Sequence, residues 1–353
     1  MPSTNPTKRV ENIKRGESEM AGIVGIEYVL PKSILTNEEL VTDYNTWSAD
    51  KIYNKTGIRE RHISDSEETA TDLGIQAAMK LIDTGIIDKD EIDFIILVTQ
   101  SPDYLLPTSA CIIQNKLGLN KSVGAFDINL GCSGFVYGLA VSKSLVDSGI
   151  ASNVLLITSE TYTKYINKLD RSTRTIFGDA AAATLVGKGG MRIGEFDLGT
   201  DGKGKDLLII QSGGARLNRN KETAIERDYD GNVRSQDNLF MDGTGIFEFS
   251  IREVPSSIER VLAKENIAKE DIDLFVFHQA NKYMLDFLQR TMKIEKSRFY
   301  VNMSDTGNTV SASIPIALKR AMEDEKFHDS QRILLCGFGV GLSWGSTIIY
   351  KDR

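Results

Sequence analysis

Cys132 is the residue of this sequence best suited to covalent chemistry. It lies in a Gly-Cys-Ser-Gly run at 131–134, where strand-like residues give way to a helical pattern. At the start of a helix, unpaired N–H groups and the positive end of the helix dipole lower the pKa of a thiol and favour the thiolate. A thiolate is a good nucleophile toward a thioester. The alternative is a small buried apolar cysteine, and the local pattern alone leaves both interpretations open.

The other cysteines and the histidines do not indicate a metal or disulfide site. Cys111 and Cys336 lie in apolar runs and are interpreted as core residues. Three cysteines without a C-x-x-C spacing argue against a disulfide framework and fit a reducing compartment. No pair among the three histidines has the spacing of a zinc site, so we expect no metal.

Two polar residues stand out in the second part of the chain. His278 follows an apolar run at 274–277 and precedes the sequence Gln-Ala-Asn, which indicates a site rather than a core position. Asn308 follows Gly307 and precedes a helix start of small residues, which allows close packing or close approach of a substrate. A glycine-rich run at 337–345 lacks the lysine and the spacing of a phosphate loop, and is better suited to aim a backbone N–H at a reacting oxygen.

The elements that must position these residues predict an α/β fold built from two similar halves. Nearly continuous apolar runs at 94–98, 154–157, 274–277 and 333–335 are typical of strands buried on both faces. Helical patterns follow Cys132 and His278. The segments 91–96 and 153–157 resemble 271–276 and 332–336, which favours a duplicated unit over chance. Around a pseudo-two-fold axis, Cys132, His278 and Asn308 would converge at strand ends, where α/β sheets usually bind ligands.

Composition and charge exclude several classes of protein. The chain has 353 residues, 41% hydrophobic and 26% charged, which is ordinary for a globular protein. A formal net charge of -7 argues against a general nucleic-acid binder. No apolar run approaches the ~20 residues of a membrane span, and residues 1–20 lack the apolar core of a signal peptide. We interpret residues 1–20 as a flexible leader and expect a cytoplasmic protein without a membrane partner.

Taken in order, these motifs resemble the 3-oxoacyl-[acyl-carrier-protein] synthase III family of the thiolase superfamily. The resemblance runs from about Ala21 to the C-terminus. Each motif is weak alone, but their ordered set is specific. The motifs are Thr-Gly-Ile-Arg-Glu-Arg-His at 56–62, Gly-Cys-Ser-Gly at 131–134, Asp-Arg at 170–171, Phe-Gly-Asp at 177–179, His-Gln-Ala-Asn at 278–281, Gly-Asn-Thr at 307–309 and the terminal glycine-rich run.

The resemblance implies a thiolase-like layered α/β/α/β/α fold, usually in a homodimer. The half at 21–190 would carry the nucleophile, and the half at 191–353 the histidine and asparagine. The implied reaction is a decarboxylative Claisen condensation. Cys132 takes an acyl group from an acyl-coenzyme A; malonyl-acyl carrier protein then loses carbon dioxide and attacks to give a 3-oxoacyl carrier. Such an enzyme starts fatty-acid biosynthesis, or a specialised variant of it, and needs no permanently bound cofactor.

The family's functional residues fall on matching positions of this chain. The catalytic residues would be Cys132, His278 and Asn308, with the last two donating hydrogen bonds to an enolate oxygen. The N–H groups of Cys132 and Gly341 would form the oxyanion hole. The acyl pocket would be lined by Leu106, which reaches into the partner subunit, and by Phe177, Leu239 and Leu342. The residues matched to coenzyme A or carrier binding are Lys55, Arg171, Asn281 and Lys282.

The match fails around the expected entrance for the cofactor. The family's tryptophan that packs on the adenine should fall near Lys51, but the nearest one is Trp47, and two basic positions are occupied by Glu248 and Tyr283. The stretch 211–238 is longer than the family needs. These departures favour a specialised synthase with a non-standard donor or a dedicated carrier. Two alternatives stay open: acyl transfer to an oxygen or nitrogen without decarboxylation, and a non-catalytic scaffold.

Overall fold

The computed structural model describes residues 20–44, 47–324 and 328–351. Except for Met20, the leader expected at 1–20 lies outside the described residues. The strands of the described part are β1 (Ala21–Val29), β2 (Ser33–Thr36), β3 (Glu60–Ile63), β4 (Phe94–Val98), β5 (Gly124–Ile128), β6 (Val154–Glu160), β7 (Ala180–Lys188), β8 (Met191–Thr200), β9 (Leu208–Ile209), β10 (Arg227–Asp228), β11 (Val233–Arg234), β12 (Phe240–Met241), β13 (Leu274–Phe277), β14 (Phe299–Tyr300), β15 (Arg332–Gly339) and β16 (Ser343–Tyr350).

The helices begin and end at residues that suit their termini. Thr69 caps α3 and pairs reciprocally with Asp72, and Asn281 caps α8 through the N–H of Met284. None of the helices in the described part of the chain combines the length and apolarity needed to cross a membrane. The helices are α1 (Asn37–Thr42), α2 (Ala49–Thr56), α3 (Ala70–Asp83), α4 (Ser109–Leu117), α5 (Gly134–Asp147), α6 (Arg171–Arg174), α7 (Gly243–Glu265), α8 (Lys282–Thr291) and α9 (Ser313–Met322).

The main sheet repeats one strand arrangement twice. Within the described residues it has ten strands, in the order β14-β13-β15-β16-β8-β1-β7-β6-β4-β5. In the first half, β4 is parallel to β5 and β6, while β7 is antiparallel to β6 and β1. In the second half, β13 is parallel to β14 and β15, while β16 is antiparallel to β15 and β8. The two arrangements meet where β1 pairs briefly with β8.

Helices cover these strands in layers. Helix α3 packs on β1, β6 and β7, and α7 packs on β8, β15 and β16. Helices α5 and α9 both contact strands from the two halves, so they form the central layer. Because the strands are covered on both faces, β6 and β13 are buried along their whole length. The fold is therefore an α/β fold with the expected layering; the exact division at residue 190 stays a prediction.

The predicted core elements are confirmed, with one exception. All four apolar runs lie in strands, and the buried face of α5 includes Phe135, Leu139, Ser142 and Val146. Cys336 is fully buried in β15, as expected. The core prediction for Cys111 is wrong, because this residue lies on the exposed face of α4. Its apolar neighbours Ala110 and Ile113 take the buried face instead.

Candidate active site

Cys132 lies in the turn that joins β5 to α5. The turn is closed by the hydrogen bond from Gly134 N–H to the Gly131 carbonyl, at 2.8 Å. Only 4% of Cys132 is exposed. Gly339, at the end of β15, lies against it: a Cβ built there would be 2.9 Å from Cys132 Sγ. A side chain at 339 would therefore press on the sulfur, and glycine keeps the space in front of it open.

The thiol of Cys132 is protonated in the resting protein. Burial, and then the nearby carboxyl of Glu160, raise the pKa of this thiol to about 12. The expectation that the helix start alone lowers the pKa is therefore wrong. Backbone N–H groups do oppose the rise, but desolvation of a wholly buried sulfur outweighs them.

His278 is held by two parts of the second half. It follows β13, and its backbone N–H donates to the carbonyl of Cys336 at 2.8 Å. Its ring atom Nδ1 lies 2.7 Å from Ser313 Oγ, at the start of α9, and the ring packs edge-on against Phe338. Burial lowers the pKa of His278 to about 3, so the imidazole is neutral near pH 7.

Asn308 faces His278 from a tight loop before α9. Its Oδ1 accepts the backbone N–H of Val310 at 2.9 Å, which directs the amide Nδ2 toward His278 Nε2 at 3.4 Å. Val310 has φ of 54°, an unfavourable value for a β-branched residue. The bond to Asn308 helps to hold this strained loop, and the loop in turn fixes the orientation of the amide.

The backbone donor next to the thiol comes from Val340. The thiol of Cys132 is hydrogen-bonded by the backbone of Val340 and by its own backbone. Gly341, the expected donor, is the next residue after Val340. The N–H of Leu342, which follows Gly341, donates to the backbone carbonyl of Asp201 at 3.1 Å. The contacts of the described residues therefore favour Val340 over Gly341 as the donor beside the thiol.

The catalytic candidates share one small cavity of about 50 Å³. Its walls include Cys132, His278 and Asn308, together with Phe177 and Met284. Among the expected pocket residues, Phe177 lines this cavity. Leu239 and Leu342 are buried in the core cluster that also contains Cys132 and Phe177, but they do not line the cavity. Leu106 is 82% exposed on a surface loop, away from the cavity of its own chain.

A larger cavity of about 460 Å³ forms the entrance. Lys55, Arg171 and Asn281 line it, and Asn281 also lines the small cavity with the thiol. The two cavities therefore adjoin. Lys282, the fourth expected binding residue, lies outside both cavities and pairs with Asp286 on its own helix. The expectation for Lys282 is therefore not supported by its position.

Trp47 stands at the entrance despite its offset in the sequence. Its ring lines the entrance cavity, and the guanidinium carbon of Arg171 lies 5.7 Å from the ring centre. Lys51 and Lys55, one turn apart on α2, lie 5.2 and 5.0 Å from the same ring. Tyr283 lines the cavity and is 60% exposed, where the family has a basic residue. Glu248 is exposed on α7.

Three residues near the site were not foreseen as functional. Ser313 contacts the histidine ring, Val340 contacts the thiol, and Glu160 is a fully buried acid near Cys132. Glu160 accepts hydrogen bonds from Gln100 N–H and from the hydroxyls of Ser101 and Ser311, yet burial raises its pKa to about 8. One signal was available: Glu160 is a lone acid that ends an otherwise uncharged strand.

The fold and the buried thiol, with its histidine and asparagine, define a thiolase-like enzyme of acyl transfer. Within the described ranges, no group of three or more His, Cys, Asp or Glu side chains is arranged to hold a metal ion. Models of 3-Oxoacyl-[acyl-carrier-protein (ACP)] synthase III and of its C-terminal part match residues 126–202 and 262–351.

Known synthases of this family are similar to this protein over nearly the whole chain. The beta-ketoacyl-[acyl-carrier-protein] synthase III of Clostridioides difficile (strain 630) is 37% identical, over 93% of this chain and 98% of that protein. A crystal structure of a 3-oxoacyl-(acyl-carrier-protein) synthase III has 46% identity and a TM-score of 0.91, over 94% of this chain and 99% of that one. The 3-oxoacyl-(acyl-carrier protein) synthase from Burkholderia xenovorans LB400 has 34% identity and a TM-score of 0.86, over 94% of both chains. The chain belongs to the 3-oxoacyl-[acyl-carrier-protein] synthase III family.

Proposed function

We propose that this enzyme condenses an acyl group, carried on Cys132, with a malonyl-acyl carrier protein to give a 3-oxoacyl-acyl carrier protein and carbon dioxide. The observation that carries the proposal is the shared cavity. A buried thiol faces a neutral imidazole and an oriented amide, and this cavity adjoins a larger entrance lined with cations. We further propose a cytoplasmic homodimer that primes fatty-acid synthesis.

In the first step, the sulfur of Cys132 attacks the carbonyl carbon of an acyl-coenzyme A. The carbon–sulfur bond to the coenzyme breaks, and the proton of the thiol ends on the released coenzyme thiol. The N–H groups of Cys132 and Val340 are placed to stabilise the oxyanion formed on the way, since backbone hydrogen bonds from both residues lower the pKa of the thiol. Because the thiol proton leaves with the coenzyme, this step needs no charged residue in the site, which agrees with a neutral His278.

In the second step, the malonyl thioester loses carbon dioxide, and negative charge develops on its thioester oxygen. Asn308 donates to this oxygen through Nδ2, since its Oδ1 is occupied by Val310. His278 donates through Nε2 in the tautomer whose Nδ1 accepts a hydrogen bond from the Ser313 hydroxyl. Two neutral donors are sufficient for this step, because their hydrogen bonds to the thioester oxygen strengthen as negative charge develops on it.

The enolate carbon then attacks the acyl-cysteine. A carbon–carbon bond forms, the bond to Sγ breaks, and the sulfur takes up a proton from the solvent to restore the thiol. An acyl transfer to an oxygen or nitrogen would need neither decarboxylation nor the His278–Asn308 pair of donors, so their arrangement favours condensation.

The homodimer proposal rests on an exposed apolar loop. Tyr104, Leu105 and Leu106 are 61%, 89% and 82% exposed, which is unusual for three consecutive large apolar residues. A second copy of the chain would cover them and bring Leu106 toward the acyl cavity of the partner.

The test begins with intact-mass spectrometry after the protein is mixed with a panel of acyl-coenzyme A donors. We expect one acyl group per chain, lost in Cys132→Ala and retained in Cys111→Ala, which removes an exposed thiol as a matched control. Malonyl-acyl carrier protein is then added, and released carbon dioxide is measured. Acylation without carbon dioxide release would favour the acyltransferase alternative, and no acylation by coenzyme-borne or carrier-borne donors would favour the scaffold.

A further inference from the structure

The long stretch 211–238 contains a hairpin with a defined turn. Strands β10 and β11 pair antiparallel, and Tyr229 and Asn232 exchange backbone hydrogen bonds of 3.1 and 3.3 Å. The two residues between them, Asp230 and Gly231, have φ of 56° and 76°. Positive φ at both positions is typical of a two-residue hairpin turn, for which an Asp-Gly sequence is preferred.

The hairpin is anchored on the segment that begins α6. Asn232 forms a β-bridge with Asp170, and the N–H of Val233 donates to the carbonyl of Leu169. Arg234 lies 3.7 Å from the carboxylate of Asp170, which is fully buried. These contacts join the hairpin to the chain immediately before Arg171.

The tip of the hairpin holds the guanidinium of Arg171. Arg171 Nη2 donates to the carbonyl of Asp230 at 2.6 Å. A Cβ built on Gly231 would lie 2.3 Å from the same nitrogen. Only glycine at 231 therefore lets the tip approach this closely, independently of its backbone conformation.

The surroundings of Arg171 favour a particular class of ligand. Its guanidinium lies near the ring of Trp47, at the wall of the entrance cavity. Lys51 and Lys55 lie 5.2 and 5.0 Å from the centre of the same ring. An aromatic face with a planar guanidinium and two ammonium groups suits a ligand that combines an aromatic base with phosphates.

We infer that the hairpin β10–β11 is a positioning element that fixes Arg171 for the nucleotide part of the acyl donor. This inference rests on the proposed function, since it assigns to the 211–238 stretch a role in donor recognition. The hairpin does not touch the thiol cavity, so its effect is on donor binding and not on the bond-making steps.

The test is Gly231→Ala, assayed for acylation of Cys132 by two donors with the same acyl group. One donor is the acyl-coenzyme A, and the other is the acyl-pantetheine, which lacks the nucleotide. We expect KM for the acyl-coenzyme A to rise about five- to tenfold with kcat unchanged, as for loss of one charged contact. The acyl-pantetheine should react equally well with both proteins.

Gly85→Ala is the matched control. Gly85 has the same φ of 76°, but a Cβ there would meet nothing within 4 Å. This variant carries the same backbone strain without displacing Arg171, and should leave KM unchanged. Should Gly231→Ala fail to fold, Asp228→Ala replaces it, because Asp228 accepts the N–H of Gly231 at 2.6 Å and supports the turn from outside the cavity.

A double variant tests whether the change at Gly231 raises KM through the ring of Trp47. In Trp47→Ala, Gly231→Ala should add little further increase in KM, since both changes act on one arrangement. An equal effect on both donors, or an unchanged KM for acyl-coenzyme A, would overturn the inference. If neither donor acylates the wild-type protein, the proposed function fails instead, and the two failures are thus distinguished.

Discussion

The floor of the active-site cavity and its entrance are built in different ways. On the floor, Cys132, His278 and Asn308 are at most 5% exposed, and each has hydrogen-bond partners from a separate element. At the entrance, Tyr283 is 60% exposed, and the contacts are cations near an aromatic ring. The floor can therefore hold reacting atoms in one geometry, while the entrance tolerates changes of residue type.

The free energies of buried and exposed contacts explain why the floor tolerates fewer changes than the entrance. A preorganised donor in a dry site is worth about 3 kcal/mol in the transition state, since little rearrangement is needed there. An exposed ion pair or cation–ring contact is worth about 0.5–1 kcal/mol, because water competes for the same groups. A changed residue such as Tyr283 at the entrance is thus compatible with an intact floor.

The largest effect should come from removing the floor donors. In Asn308→Ala, decarboxylation should slow by about 10²–10³-fold, because one donor to the enolate oxygen is lost. Acylation of Cys132 should change far less, since its oxyanion is held by backbone N–H groups. Single-turnover acylation and carbon dioxide release measure the two steps separately.

Asn115→Ala is the control for that experiment, because it makes the same change at an exposed position of α4 that lines neither cavity. Equal slowing of acylation and decarboxylation by Asn308→Ala would mean that the amide only supports the fold of the floor.

A smaller effect is expected from Glu160, the fully buried acid near Cys132. The pKa of its carboxyl is raised to about 8, so it is neutral below that pH and charged above it. Only the charged form raises the pKa of the Cys132 thiol. Alkylation of Cys132 by iodoacetamide should therefore proceed alike in wild type and Glu160→Gln below pH 8, and about two- to fivefold faster in the variant above it.

The same experiment tests the state of the thiol. With a pKa of about 12, the alkylation rate of wild type should keep rising up to pH 10. A plateau near pH 7 would mean that the helix start does stabilise the thiolate. Loss of fold in Glu160→Gln is checked by its thermal unfolding.

The smallest effect should come from charge at the entrance. In Tyr283→Arg, KM for an acidic carrier protein should fall about two- to threefold at low ionic strength, and the gain should vanish in about 0.5 M salt because exposed charges are screened. Met79→Arg adds the same charge at an exposed position of α3 and should have no such effect. A salt-independent gain would point to a direct contact rather than to steering.

The sequence predicts the floor better than the entrance. Cys132 and His278 follow apolar strands, and the strand ends of the two halves meet at one place, so their convergence with Asn308 follows from the repeat. The choice between Gly341 and Val340 depends on backbone torsions within a glycine-rich turn, which residue types leave open. The prediction for Lys282 stays untested, although its pairing with Asp286 shows that the first residue of a helix can contact its own i+4 partner as readily as a cavity.

The entrance depends on contacts between segments that are far apart in the chain. Trp47 and Arg171 are separated by more than a hundred residues, and Trp47 lines the entrance cavity although it lies four positions before the expected tryptophan. The polar composition of the 211–238 stretch likewise does not predict its role, because that role depends on the contact between the tip of the hairpin and Arg171.

By itself, the sequence determined the fold class, the repeat and the chemical identity of the reacting groups, because these follow from residue types and from local periodicity. Only the tertiary structure decided that the thiol of Cys132 is neutral, that Val340 supplies the donor beside it and that a hairpin holds Arg171 at the entrance. The physical reason is that desolvation, backbone direction and close approach are properties of the surroundings of a group, and those surroundings are assembled from distant parts of the chain.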